Sequence, residues 1–584
     1  MYILGIHIGH DSTAVLFKDG VFLEAMSEER LSRQKKHAGF PHLTVAYLKE
    51  KYQVNTFTEV ALVGVELDDT IMITKEDNEA IRKNGISVSN HFLRAVGVKF
   101  PLLGSLFNLR DWVLVKVLSF GIKAKVDKFL RTQFPEATIT RVEHHLAHAW
   151  SVIPFLPDLN KKYLVLTMDG AGDDLSGSVN ILDQGQISRK HVTSIHSSVG
   201  LLYCAIVDIL GMSRNEHEFK VMGLAPYAKV SAGEKVYEKL KKLVWFDHQD
   251  LSFKSAINLD RATPYLLAHN FFWHRFDSLA YGIQKLTEES IKEMTLVAIN
   301  KYQISDVAVA GGVFMNVKAN QYVREMSAVK SFSVTPSCGD ESLAFGAVMS
   351  RYNTLMNGDL SKVKQIDNLY LGSEYSDVEI KKEIDKYDFP NPVKVEYFAP
   401  DAAVTIEHKA AEILANNGVV GRFKGRAEWG ARALGNRSIL ANPKSLDNVK
   451  LINEMIKGRD FWMPFATSML YERRNDYLVN AENYLAPYMA ITFNTKPLAH
   501  TELIAALHPY DLTSRPQMVE KKTNPEYHNL ISHFESLTGV GGILNTSFNL
   551  HGEPNVENPY DALRTFSLSG LNYLAIGNYL VYKT

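Results

Sequence analysis

Two histidines four residues apart, His144 and His148, lie in the run Val142-Glu143-His144-His145-Leu146-Ala147-His148-Ala149-Trp150. On a helix, positions i and i+4 share a face, so both imidazoles could reach one metal ion. A surface helix without a ligand gives the same spacing, with His145 facing water. A second chemistry is suggested further on. From Gly421 to Arg459 there are nine lysines and arginines against three acids. The whole chain carries 64 Lys and Arg against 65 Asp and Glu, a net charge of −1, so that local excess asks for an anionic partner. Guanidinium forks match phosphate oxygens in pairs, and the interspersed glycines suit close wrapping. RNA is the other anion to weigh, but the run lacks the alternation of aromatic and basic residues of an RNA-binding sheet.

The elements that must position these groups can be read from periodicity. Residues 2–8 form a buried strand, Gly9-His10-Asp11-Ser12 a polar turn, Thr13 to Lys18 a second strand, Asp19-Gly20 a tight hairpin turn and Val21 to Met26 a third strand. The charged stretch Glu28 to His37 reads as a solvated helix face or a site wall. After the histidine run the pattern recurs: strand Tyr163 to Met168, the acidic turn Asp169-Gly170-Ala171-Gly172-Asp173-Asp174, strand Leu175 to Leu182, turn Asp183-Gln184-Gly185 and a third strand. Two such copies predict an internal duplication with a cleft between the halves; two unrelated meanders are the alternative. Val307 to Ala310 is a strand running into Gly311-Gly312 and a helix start at Asn316, which suits a nucleotide edge or a ligand-free tight turn. Asp340 sits at a strand-to-helix junction, as a functional carboxylate or a helix cap.

At 584 residues, two or three domains are expected, and 46% hydrophobic content supplies their cores. Two cysteines, Cys204 and Cys338, are too few for a disulfide framework and fit a reducing cytosol. The N-terminal residues show no basic segment and no cleavage site, so no signal peptide is expected, and no apolar run reaches membrane-spanning length. Near-neutral charge argues against a nucleic-acid coat. The reading places a first domain over residues 1–360, a linker over 361–385 and a second domain over 386–584. Residues 70–135 form an insertion of packed helices or, alternatively, a membrane contact or an acceptor-binding wall.

Together these motifs resemble the O-carbamoyltransferase family of nodulation-factor and antibiotic-tailoring enzymes, of the tobramycin type. The resemblance is carried by His10-Asp11-Ser12, Glu28-Glu29-Arg30 with Arg33, the run from His144 to Ala149, Lys220 to Ala225, Gly311-Gly312-Val313, Gly430 to Ser438, Ser514-Arg515-Pro516-Gln517, and Leu544 to Asn549 with Gly552-Glu553-Pro554. It implies an α/β protein: an N-terminal duplicated domain of the actin–Hsp70–sugar-kinase fold, like the threonylcarbamoyl-transfer proteins, and a C-terminal α/β domain like the threonylcarbamoyl-adenylate synthases. It further implies that the C-terminal domain makes carbamoyl adenylate from carbamoyl phosphate and ATP, with Mg2+ accompanying ATP. The N-terminal domain then passes the carbamoyl group to a hydroxyl of a small-molecule natural product or glycan.

By motif position, Fe2+ or Zn2+ would be held by His144, His148, Asp169 and Asp340. His10 with Asp11 would take the acceptor proton, and Arg432, Arg437 and Lys457 would act on phosphates. Lys220, Gly311, Gly312, Asn316, Arg426, Arg459, Arg515 and Asn545 would line the nucleotide and phosphate sites. Further expectations are a cytoplasmic location, a homodimer and no stable nucleic-acid partner. Gly9 departs from the family, which often has an aromatic before the His-Asp pair. The rival readings are a threonylcarbamoyl-type tRNA-modifying enzyme and an ATP-switched binding protein of the actin–Hsp70 fold.

Overall fold

The first strand, β1 (Tyr2–His7), is buried over five of its six residues, as expected of a strand covered on both faces. It pairs antiparallel with β2 (Thr13–Lys18), which pairs antiparallel with β3 (Val21–Ser27). On its other side β1 runs parallel to β4 (Glu59–Val63), and β4 parallel to β5 (Thr138–Val142). The sheet order is β3-β2-β1-β4-β5. A second sheet repeats this plan. Here β6 (Tyr163–Gly172) takes the place of β1, β7 (Leu175–Asp183) and β8 (Gln186–Ser194) complete the meander, and β11 (Asp306–Ala310) and β12 (Ser331–Val334) follow in parallel, giving β12-β11-β6-β7-β8. A hairpin of β9 (Val244–Asp247) and β10 (Ser252–Ser255) lies between them in sequence. The repeated strand order matches the duplication expected from the two meanders.

This computed structural model describes residues 1–54, 56–63, 126–482 and 484–584. The expected insertion at 70–135 therefore lies outside the described residues, apart from its last turns: residues 126–133 are helical, and Val126, Leu130 and Phe134 join the core beneath the first sheet. The chain divides into two units. One holds Met1–Glu28 and Lys36–Gln365; the other holds Glu29–Lys35 and Ile366–Thr584.

In the first unit, the helix Leu343–Leu355 is the central packing element. It lies against β1, where a Cβ on Gly5 would fall 2.4 Å from the Ala344 carbonyl oxygen. It also crosses the helix His144–Ser151, where a Cβ on Gly346 would fall 1.8 Å from the Ala147 carbonyl oxygen. Both contacts require the absence of a side chain.

The second unit is built on an eight-stranded mixed sheet. Its strands are β13 (Val393–Tyr397), β14 (Val420–Phe423), β15 (Arg437–Ala441), β16 (Ala466–Leu470), β17 (Pro516–Val519), β18 (Gly542–Ser547), β19 (Tyr573–Ile576) and β20 (Tyr579–Lys583), in the order β13-β20-β19-β14-β15-β18-β16-β17. The division between the units comes after Gln365, inside the stretch 361–385 expected as a linker, whose later part is structured. Ser376 and Glu379 form a capping box that starts the helix Asp377–Lys386, and Ile380 and Ile384 are buried in the core of this unit. The charged segment after β3 is not a solvated helix face either. Glu28 is buried and accepts from the backbone of Leu43 and Thr44, while Arg30 and Arg33 belong to the second unit. There Arg33 donates to the carbonyls of Pro554 and Asn555 at 2.9 and 2.7 Å, and Arg30 faces Glu557 at 3.8 Å.

Gly346→Ala should force the two crossing helices apart and cost about 1–3 kcal/mol, the usual range for overpacking a filled core. Thermal and urea denaturation would measure this; a midpoint equal to that of the unsubstituted protein would show that the crossing is looser than described.

Candidate functional site

Four segments of the first unit converge at the carboxyl ends of its strands, where open α/β sheets present their ligand sites. Two are the equivalent turns β1–β2 and β6–β7. The other two follow the equivalent strands β5 and β12. The β1–β2 turn carries His10 and Asp11, with Asp11 at φ 59°. The β6–β7 turn starts at Asp169, within β6, and closes through Asp173 and Asp174 at φ 50° and 64°. After β5 comes the histidine helix. Its free amides are capped twice: Glu143 accepts from His145 N and Leu146 N, and the Asp173 carboxylate accepts from His144 N at 2.7 Å. After β12 comes Asp340, on a short 3-10 turn whose N-cap is Gly339 and which shows no side-chain cap bond, so Asp340 does not serve as a helix cap.

The ligand atoms of His144, His148, Asp169 and Asp340 all lie within 4.8 Å of one another. His144 Nε2 and His148 Nε2 face each other at 3.1 Å, and Asp169 Oδ2 is 3.2 Å from the first and 3.0 Å from the second. Asp340 Oδ1 is 3.7 and 3.6 Å from the same nitrogens. Facing ring nitrogens can share at most one proton, whereas one cation at the centre meets all three approaches. Two nitrogens and two carboxylate oxygens suit iron or zinc. The residues present therefore fit a metal. Burial favours the neutral acid at Asp169, yet His144 and His148 hold its carboxyl well below the usual range.

The second oxygen of Asp340 faces elsewhere. Asp340 Oδ2 lies 3.3 Å from His10 Nε2 and 3.8 Å from His7 Nε2. On the far side of its ring, His10 Nδ1 is 3.1 Å from Asp11 Oδ2, which also accepts from Lys36 Nζ at 2.9 Å. Burial opposes ionisation of Asp11, but the His10 hydrogen bond and the Lys36 ammonium outweigh it and keep the group charged. An imidazole held by a carboxylate through Nδ1–H keeps Nε2 available as a proton acceptor. The adjacent Glu341 hydrogen-bonds Ser337, and burial, then the Asp11 charge, push its carboxyl up to about 7.

Glycines shape this cluster. A Cβ on Gly172 would lie 2.2 Å from the His144 ring, and one on Gly312 would lie 2.9 Å from Asp169 Oδ1. The Gly311-Gly312 turn, read as a nucleotide edge, thus borders the His/Asp cluster. Asn316, expected at a nucleotide, instead caps the helix Val317–Arg324 and exchanges hydrogen bonds with Gln284. Lys220 lies half-buried in the helix Glu218–Leu224. His145 does not face water: it is fully buried, with Nδ1 3.0 Å from Thr167 Oγ1. His7, Lys36, Asp173 and Glu341 were not anticipated. Of these only His7 left a usable signal, a polar residue in an otherwise apolar strand three positions before His10.

In the second unit the cations separate into two groups. Arg437 is completely buried. It donates to the carbonyls of Lys424, Gly425, Asn436 and Ser373, and its guanidinium lies 3.7 Å from the Phe423 ring centre. Its two terminal nitrogens are thus engaged by backbone, while Nε has no hydrogen-bond partner among the described residues. Arg426 donates to the carbonyls of Leu371 and Gly372. Asn545 donates to Ala433 O and Ser468 Oγ and so braces the arginine loop from below. Lys457 donates to Ser547 Oγ, Asn549 O and Asn549 Oδ1, and Arg459 to Pro464 O and Thr546 Oγ1, but these two and Arg515 differ in the charges around them. Burial lowers the pKa of each, and the charges acting on them are cations: Arg459 and Lys35 on Lys457, Arg432 on Arg459, and Arg432 and Arg459 on Arg515. For Arg459 the result is a pKa of about 10. Arg515 Nε is buried with no hydrogen-bond partner among the described residues. Lys457 ends a π-helical turn, Asn453–Lys457, stopped by Gly458 at φ 52°. Cations gathered in this way are stabilised by an incoming polyanion.

Residues 2–349 match the carbamoyltransferase N-terminus family, and residues 411–583 match the carbamoyltransferase C-terminus family. The nodulation protein NolNO of Sinorhizobium fredii is 30% identical over 98% of this chain and 79% of its own length. The uncharacterised protein MJ1058 of Methanocaldococcus jannaschii is 30% identical over 92% of this chain and 87% of its own. The 3'-hydroxymethylcephem-O-carbamoyltransferase of Amycolatopsis lactamdurans is 28% identical over 47% of this chain and 48% of its own. Among solved structures, the full-length HypF in its phosphate- and nucleotide-bound form is 12% identical over 60% of this chain and 55% of that chain, with a TM-score of 0.31. With both family regions present in order along one polypeptide, this chain is a transferase that belongs to the carbamoyltransferase family.

Proposed function

We propose that this protein is an ATP-dependent O-carbamoyltransferase that works in two stages. The observation that carries the reading is the double use of Asp340. One oxygen faces the His144–His148 pair and the other faces His10, so a cation site and a proton acceptor share one carboxylate.

In the first stage the second unit makes carbamoyl adenylate. Carbamoyl phosphate takes up one water to give carbamate and phosphate, and a carbamate oxygen attacks the α-phosphorus of ATP, releasing pyrophosphate. Lys457, Arg459, Arg515 and Arg432 hold the phosphates and offset the charge that develops on them. Mg2+ accompanies ATP. In the second stage the acceptor oxygen attacks the carbamoyl carbon in the first unit, and AMP leaves. His10 Nε2 takes the acceptor proton while Asp11 steadies the imidazolium through Nδ1. His144, His148, Asp169 and Asp340 would hold Fe2+ or Zn2+. Such a cation, when bound, supplies Lewis acidity toward phosphate and carbonyl oxygens. The first unit's repeated sheet order supports an actin–Hsp70–sugar-kinase type of fold. The name of the Amycolatopsis relative supports a small-molecule hydroxyl as acceptor. Mass spectrometry of hydroxyl-bearing metabolites tests the whole reading: a carbamoyl mass gain should need both ATP and carbamoyl phosphate, and a gain without ATP would refute it.

Two substitutions separate the stages. Arg515→Ala should slow carbamoyl-phosphate-dependent pyrophosphate release by about a hundredfold, the scale for losing one donor to a developing charge; unchanged release would remove Arg515 from the cradle. His148→Ala should reduce bound metal about tenfold or more, while pyrophosphate release continues. Elemental analysis showing an equal metal content would overturn the ligand set.

A further inference from the structure

His7 is a buried imidazole at the end of an apolar strand, with 1% exposure. Its neighbours Ile6 and Ile8 point into the core beneath the first sheet. By the two-residue period of a strand His7 points to the other face, toward the helix Leu343–Leu355 and the turn holding Asp340. Desolvation makes a histidine costly here unless it is hydrogen-bonded. Its Nε2 lies 3.0 Å from the His10 carbonyl oxygen and 3.8 Å from Asp340 Oδ2, while Nδ1 has no partner among the described residues. The hydrogen therefore belongs on Nε2, donated to His10 O. That carbonyl sits in a turn which reverses at Asp11 with φ 59°.

We propose that His7 is the positioning residue for His10: its Nε2–H clamps the His10 carbonyl and so fixes the 3.3 Å separation between His10 Nε2 and Asp340 Oδ2. This rests on the reading of His10 as the proton acceptor. Packing alone would make any residue of similar volume adequate at position 7, whereas the clamp needs a donor at the Nε2 position.

His7→Phe keeps the ring volume and loses the donor. His7→Gln keeps a donor at nearly the same reach. His7→Asn carries its amide only as far as the Nδ1 position. With full-length protein, His7→Phe should lower the transfer kcat by about 10- to 100-fold, the cost of a misplaced reacting group. The acceptor KM and pyrophosphate release should stay unchanged, and His7→Gln should recover most of the loss. A second readout needs no turnover: the rate at which diethyl pyrocarbonate modifies His10, followed by peptide mass spectrometry. His10 should react several-fold faster in His7→Phe than in the unsubstituted protein or His7→Gln. If His7→Phe does not fold, His7→Asn against His7→Gln gives the same contrast. Equal His10 reactivity in the donor-lacking and donor-keeping variants would overturn the clamp. If the unsubstituted protein transfers no carbamoyl group, the functional reading fails, and the modification rates still decide whether His7 holds the His10 turn.

Discussion

The first unit depends on one close approach: the backbone of Gly346 against the carbonyl of Ala147, with no side chain between them. That contact sets the spacing of the two helices which follow the equivalent strands β5 and β12. One helix carries His144 and His148 and the other begins just after Asp340. Were the helices one methyl group further apart, the ligand atoms they present would no longer share a centre. The stability of the core and the assembly of the site are thus one constraint. Gly5 repeats the device on the opposite face of the same helix, against β1.

Duplication explains why four sequence-distant segments meet. Each half supplies a turn between its first two strands and a junction after its last. In one half these carry His10 and the histidine helix; in the other they carry Asp169 and Asp340. The copies have diverged in chemistry but not in position. Much of this was legible, because strand periodicity and the acidic and polar turns are local signals. The grouping of His144, His148, Asp169 and Asp340 came from the resemblance of the motifs, and the structure places their ligand atoms together. The burial of His145 is not legible locally, because the histidine run has polar residues on more than one side of its helix and nothing nearby states which side is covered. The bond from Asp173 to the His144 amide joins residues 29 positions apart, so only the fold could reveal it.

The arginines of the second unit show where sequence reading stops. Arg437 and Arg515 are the same residue type in similarly basic and polar surroundings. One is occupied by four backbone carbonyls and the other is surrounded by cations. Which carbonyls point inward is decided by loop paths, and composition carries no record of those paths. Burying an arginine among carbonyls is also a sound way to close a glycine-rich loop, since each donor satisfies an acceptor that water cannot reach. The positive charge between Gly421 and Arg459 is therefore of two kinds, one neutralised by backbone acceptors and one set among other cations.

The segment Glu29–Lys35 bears on how the polypeptide matures. Arg33 is held by the carbonyls of Pro554 and Asn555, 521 and 522 positions further on. The segment can therefore find its place only after Pro554 and Asn555 have been made. The same arrangement makes residues 366–584 a poor excision product: cut free, they would leave the carbonyls of Pro554 and Asn555 and the Glu557 carboxylate without Arg33 and Arg30.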